Sequence, residues 1–178
     1  MNNIILGVTG SIAAYKAADL ANTLTKEGNS VHVILTKSGE RFITPVTFQA
    51  LTKNKVHTDI FDDYLPSEIQ HISLAQKADL ALIAPASADF IAKAAAGIAD
   101  DMLTTVILAM RNKPILVCPA MNTDMYENPI TQRNINTLKE FGFRFVEPRE
   151  ARLACNCVGK GALASNDVII DSVKKLLR

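Results

Sequence analysis

Apolar positions along this chain switch repeatedly between two periods. Residues 3–8 form a continuous apolar run of strand length. From 11 to 27 the apolar residues return at Ala13, Ala17, Leu20, Ala21 and Leu24, one face of a helix, and Gly28 follows as its C-cap. The alternation predicts strands at 31–35, 55–59, 79–84, 114–118 and 143–146, and helices at 44–51, 87–96, 101–110, 131–141 and 167–177. The run at 79–84 has almost no polar interruption, as a strand covered on both faces requires. Repeated βα units predict an α/β fold with right-handed crossovers: a doubly wound, mostly parallel, Rossmann-like sheet. No internal repeat or low-complexity linker marks a boundary, so residues 1–178 are expected to form a single domain.

Composition narrows the class. A chain of 178 residues with 48% hydrophobic content is long enough to bury a substantial core. Lysine and arginine number 19 against 18 acidic residues, so no strong field points to nucleic acid or an anionic membrane. The N-terminus lacks a basic segment before its short apolar run, and no stretch approaches the roughly 18 apolar residues that span a bilayer. A cytoplasmic protein is expected. Of the three cysteines, Cys155 and Cys157 lie too close together to staple a fold, and no further ligands stand at zinc spacing; no metal is expected.

Four segments bring polar or glycine-rich groups to the C-terminal edge of the predicted sheet, where open α/β folds bind ligands. The first βα turn, Gly7-Val8-Thr9-Gly10-Ser11-Ile12, offers backbone N–H groups and a hydroxyl to an anion at a helix N-terminus. It matches neither the P-loop nor the full dinucleotide fingerprint. Where a dinucleotide enzyme would carry an acidic residue for the ribose, Thr36-Lys37-Ser38 suits a phosphate instead, so a mononucleotide such as FMN fits better. Ser87 follows a buried strand in Ala84-Pro85-Ala86-Ser87-Ala88-Asp89-Phe90, and taken alone it is a routine N-cap. The segment Pro119-Ala120-Met121-Asn122-Thr123-Asp124-Met125-Tyr126 also follows a strand, with Asn122 or Thr123 able to cap the next helix. The fourth stretch, 152–161, reads as a loop whose glycines allow it to fold over a ligand as a lid.

Together these segments resemble the homo-oligomeric flavin-containing cysteine decarboxylases over nearly the whole length. In that family a Pro-Ala-Ser-Ala-Asn-Thr segment holds the flavin and a Pro-x-Met-Asn-x-x-Met segment grips the substrate carboxylate. A His precedes the buried strand, and a Leu-Ala-Cys-Gly lid carries a catalytic Cys. The resemblance implies FMN contacts from Gly10, Ser11, Ile12, Thr36, Ser38, Ser87, Ala88, Asp89, Phe90 and Ala120. It implies substrate contacts from Asn122, Met125, Arg152 and Cys155, with His71 as base and Cys155 as proton donor. The chain departs from the pattern at Asp89 and Phe90, which stand for Asn and Thr, and at Asn156, which stands for a lid glycine but tolerates positive φ.

Loss of CO2 from a cysteine carboxylate needs an electron sink beside the α-carbon. The resemblance implies that the flavin oxidises the thiol, CO2 leaves to give an enethiol, and reduction follows with no net redox change. The implied reaction converts 4′-phospho-N-pantothenoylcysteine to 4′-phosphopantetheine and CO2 in coenzyme A biosynthesis. Peptide C-terminal cysteine decarboxylation shares fold and mechanism and is the first alternative. A flavin prenyltransferase, which needs neither the Met-Asn-x-x-Met segment nor a lid Cys, is the second. A regulatory binding protein is disfavoured by the presence of both His71 and Asn122. The resemblance further implies a homotrimer or a dodecamer of trimers, with the flavin at a subunit boundary and His71 serving a neighbouring copy. With the chain ending at Arg178, the ligase that makes the substrate is expected to be a separate protein. His32, His57, Cys118 and Cys157 are read as structural.

Overall fold

In the computed structural model, residues 1–61, 69–152 and 158–178 are described. In chain order the elements are β1 (Asn3–Val8), α1 (Ala14–Lys26), β2 (Ser30–Leu35), α2 (Lys37–Glu40), α3 (Pro45–Thr52), α4 (Gln70–Lys77), β3 (Leu80–Ala86) and α5 (Ala88–Ala96). There follow α6 (Met102–Ala109), β4 (Ile115–Pro119), α7 (Thr123–Glu127), α8 (Pro129–Glu140), β5 (Arg144–Phe145), β6 (Arg149–Arg152), β7 (Val158–Ala162) and α9 (Asn166–Leu176). Strands β2-β1-β3-β4-β5 form one sheet, and every pairing in it is parallel. The order reverses between β1 and β3, so the loops after these two strands diverge and leave a crevice at their C-terminal ends.

The sheet separates two apolar layers. Ile4, Leu6 and Val8 of β1 point with Leu82 and Ala84 toward α1 and α9, while Ile5, Ala81 and Ile83 point toward α4, α5, α6 and α8. All seven residues of β3 are buried, as its unbroken apolar run requires. Helix α1 buries Ala14, Ala17, Leu20, Ala21 and Leu24. It ends where Gly28, at φ 86°, accepts the left-handed turn.

Several local features differ from the sequence reading, among them the helix α4 and the shortness of β5. The strand expected at 55–59 is a single bridge, His57 beside Ile34 on the outer edge of β2, since only the backbone of His57 reaches that strand. A short helix, α2, follows β2, with Thr36 capping it by accepting from the Gly39 N–H at 3.1 Å. The stretch read as a loop from 152 begins and ends in an antiparallel ribbon, β6 with β7. Its alternation is masked by charged residues on one strand and glycines on the other. No described helix is long and apolar enough to cross a membrane.

Candidate active site

A cleft of about 580 Å³ opens at the C-terminal edge of the sheet. It is lined by the turn after β1, the start of α5, the segment after β4 and the ribbon. Gly10, Ser11 and Ile12, Ser87 and Ala88, and Ala120, Asn122 and Met125 therefore share one cavity. The cause is local. Each loop leaves a buried strand and turns into a helix, which aims the first backbone N–H groups into the crevice.

The β1 turn is shaped for an anion. Ser11 accepts from the Ala13 and Ala14 N–H groups through its hydroxyl and carbonyl, which folds the chain into α1. Among the described residues no protein acceptor takes the N–H groups of Gly10, Ser11 or Ile12. Gly10 must be glycine, because a Cβ there would come within 2.5 Å of the Ser38 Cβ. Ser38 thus backs the turn, and Thr36 spends its hydroxyl on the cap of α2; neither lines the cleft.

A buried threonine joins the first two loops. The Thr9 hydroxyl donates to the Pro85 carbonyl at 2.8 Å and accepts from the Ser87 N–H at 2.8 Å. Ser87 in turn caps α5, accepting from the Phe90 N–H at 3.3 Å. The Phe90 ring is buried in the core, and Asp89 faces solvent with Lys93 at 3.6 Å, so of this segment Ser87 and Ala88 are the residues that line the cleft.

Asn122 caps α7, its Oδ1 accepting from the Asp124 N–H at 2.8 Å and the Met125 N–H at 3.4 Å. With the carbonyl end committed, the amide end of Asn122 is the donor. Met125 lies half exposed at the rim. The ribbon forms the opposite wall. Gly161 O accepts from the Met121 N–H at 3.0 Å, and a Cβ on Gly161 would come within 2.3 Å of Met121 O.

Two cations in the cleft escaped the sequence reading. Lys16 and Arg149 both line it. Burial and the neighbouring Arg149 guanidinium hold the Lys16 ammonium below the ordinary lysine range. Neither forms an ion pair among the described residues; Arg149 Nε donates to the Leu163 carbonyl at 3.1 Å. Two neighbouring cations with no acidic partner among the described residues suit an anion. Ile12 in the turn before α1, and Tyr15 and Lys16 in its first turn, lie off the helix's core face, which is a signal the sequence does carry. Arg149 carries none, because its ribbon was not legible.

The remaining expected residues stand apart. His71 is half-buried in the first turn of α4, beside the layer opposite α1, and does not line this cleft. Arg152 ends β6, paired with Val158, and Cys155 with Cys157 lies outside the described residues. Burial pushes the Cys118 thiol far up, which suits a core residue rather than a nucleophile. His32 Nε2 lies 3.1 Å from the Ser30 hydroxyl and His57 Nδ1 lies 3.2 Å from Gln70 Oε1, both away from the cleft. No cluster suited to a metal ion occurs among the described residues.

Known proteins resemble this chain in sequence and in fold. A probable phosphopantothenoylcysteine decarboxylase of Streptococcus mutans is 50% identical over 98% of both chains. Bifunctional coenzyme A biosynthesis proteins also match, the chain spanning 42% of the length of the one from Bacillus subtilis. A cysteine-to-serine mutant of a PPC decarboxylase, complexed with pantothenoylaminoethenethiol, superposes with a TM-score of 0.88 at 33% identity, covering 98% of this chain and 97% of that one. The FMN-dependent cysteine decarboxylase SpaF gives a TM-score of 0.86 at 31% identity, covering 99% of this chain and 95% of that one. The flavoprotein family model matches residues 1–178, and the chain belongs to that family.

Proposed function

We propose that this chain decarboxylates 4′-phospho-N-pantothenoylcysteine to 4′-phosphopantetheine and CO2 in coenzyme A biosynthesis, with FMN as its flavin. The observation that carries the reading is that one cleft is lined by the Gly10–Ile12 turn, the Ser87 turn, the Asn122–Met125 segment and two cations, Lys16 and Arg149, that form no ion pair among the described residues. The N–H groups of Gly10, Ser11 and Ile12, which find no acceptor among the described residues, fit the phosphate of a mononucleotide, with Ser38 and Thr36 supporting the turn from behind. Ser87, Ala88 and Ala120 would flank the isoalloxazine ring, with Asp89 and Phe90 contributing backbone only.

FMN, when bound, supplies the electron sink that the cysteine carboxylate lacks and returns the same electrons once CO2 has left. The chain orients the reactants. The Asn122 amide donates to the substrate carboxylate without burying a second charge, and Met125 packs on the thiol-bearing carbon. Lys16 and Arg149 would take the 4′-phosphate, which separates this substrate from a peptide ending in cysteine. On the family resemblance, His71 of a neighbouring copy in a trimer, or in a dodecamer of trimers, removes the proton during oxidation. Cys155 returns one during reduction, and Arg152 assists at the substrate. The reaction is placed in the cytoplasm.

The test is turnover by FMN-loaded protein of phosphopantothenoylcysteine, of pantothenoylcysteine and of a short peptide ending in cysteine. The phosphorylated compound should have the highest kcat/KM by at least about tenfold, the range of one charge-assisted contact. A peptide preferred over it would move the assignment to peptide cysteine decarboxylation.

A further inference from the structure

The two walls of the substrate side of the cleft belong to different elements. The helix α7, capped by Asn122, stands on one side, and the strand β7 stands on the other. One carboxylate outside the cleft touches both. The Tyr126 hydroxyl donates to Glu147 Oε2 at 2.7 Å, and the Lys160 ammonium donates to the same oxygen at 2.9 Å. Glu147 Oε1 lies 3.6 Å from the Lys139 ammonium of α8. Lys160 also stands 5.5 Å from the centroid of the Tyr126 ring, within cation–π range.

What these bonds hold is specific. The Tyr126 N–H donates to the Asn122 carbonyl at 3.0 Å, so the ring is fixed to the turn that aims the Asn122 amide. Lys160 lies between Gly159 and Gly161, and both glycines press on the Asn122 segment. A Cβ on Gly159 would come within 2.4 Å of Thr123 Oγ1, and one on Gly161 within 2.3 Å of Met121 O. No slack remains between strand and loop. Tyr126 is buried, whereas Glu147 and Lys160 are about half exposed, so the link is a buried hydroxyl held by a surface ion pair. The hydrogen bond from Tyr126, followed by the two lysines, holds the Glu147 carboxyl below its ordinary range against the opposing effect of burial, so it is ionised at neutral pH. An ion pair this exposed adds little to global stability. It can nevertheless fix the register of two segments joined by the backbone hydrogen bond from Met121 N–H to Gly161 O.

We infer that Glu147 is a positioning residue for the decarboxylation: by joining Tyr126 to Lys160 it holds β7 against the Met121–Thr123 segment and so sets where Asn122 meets the substrate carboxylate. The inference rests on the function proposed above. The flavin-facing turns at Gly10 and Ser87 lie on other elements, so the network acts on substrate and leaves cofactor retention alone.

The experiment compares Glu147→Ala, Glu147→Gln and Lys160→Met in the FMN-loaded protein. Kinetics with phosphopantothenoylcysteine are paired with hydrogen exchange of peptides covering residues 119–126. Glu147→Ala should lower kcat/KM about tenfold with normal FMN content, in line with coupling among contacting residues. Glu147→Gln, which keeps an acceptor for Tyr126, should fall between Ala and wild type. Lys160→Met should add little on the Glu147→Ala background. The Met121 amide should exchange at least about tenfold faster in Glu147→Ala, as local opening becomes easier. Wild-type kinetics with faster exchange would reduce Glu147 to a structural contact, and slower kinetics with unchanged exchange would show that the ribbon is not the route; either overturns the inference. If the wild-type protein does not turn over this substrate, the functional proposal fails. The exchange measurement alone then decides whether Glu147 holds the ribbon, unchanged exchange being the contradicting result.

Discussion

Two hollows of similar size lie at opposite ends of the same sheet. The cleft at the C-terminal edge measures about 580 Å³ and that at the N-terminal edge about 680 Å³. The larger one is bounded by the last residues of α5, α6 and α8, through Gly97, Leu108 and Gly142 among others. Helix C-termini present carbonyl oxygens and the negative end of the dipole, so this hollow repels phosphate and carboxylate. Its cation, Lys113, is bound to the Ala75 and Gln76 carbonyls at the end of α4. The smaller cleft receives the N-terminal ends of α1 and α5, carries Lys16 and Arg149, which have no acidic partner among the described residues, and holds an amide donor at Asn122. The direction in which the helices point, and not volume, decides which hollow suits an anionic substrate and an anionic cofactor.

That contrast can be broken most sharply at the β1 turn. Ser11→Glu places a carboxylate against the row of N–H groups, and flavin retention should be lost, read as the disappearance of visible absorbance from the purified, folded protein. Next comes Asn122→Asp, which sets a second anion beside the substrate carboxylate in a poorly solvated site. Turnover should fall a hundredfold or more while flavin stays bound, as measured by CO2 release. Lys16→Met and Arg149→Ala should each raise the KM for phosphopantothenoylcysteine about tenfold and leave that for pantothenoylcysteine nearly unchanged. The smallest effect belongs to the opposite hollow. Leu108→Gln, at an exposed position, should change kcat/KM and flavin content less than about twofold. A large loss there would mean that the N-terminal hollow takes part in the chemistry.

The parts of this molecule that sequence made legible are those governed by local periodicity. The apolar run of β3 and the five-residue stripe of α1 each follow from side-chain spacing within one element. The glycine at Gly10 and the caps at Ser87 and Asn122 were visible because a chain leaving a buried strand for a helix needs them there. What escaped depends on contacts between elements. The alternation of the ribbon β6–β7 is masked, its glycines being placed for the close approach to Thr123 and Met121 rather than for strand formation. The bond from Thr9 to Pro85 and Ser87, 76 and 78 residues away, has no local trace. The pairing of Lys16 with Arg149 in one cleft likewise exists only once the ribbon has folded onto α1. His71 shows the reverse case: its sequence position was informative through family resemblance, yet within one chain it stands away from the cleft.

The central claim is that the C-terminal-edge cleft holds the FMN phosphate on the Gly10–Ile12 turn and the substrate carboxylate on the Asn122 amide. A crystal structure of the FMN-loaded protein soaked with phosphopantothenoylcysteine under anaerobic conditions tests it most directly. The account predicts the flavin phosphate against the N–H groups of Gly10, Ser11 and Ile12, and the cysteinyl end of the ligand beside Asn122. Flavin density in the hollow bounded by Gly97, Leu108 and Gly142, or a ligand carboxylate remote from Asn122, would contradict it.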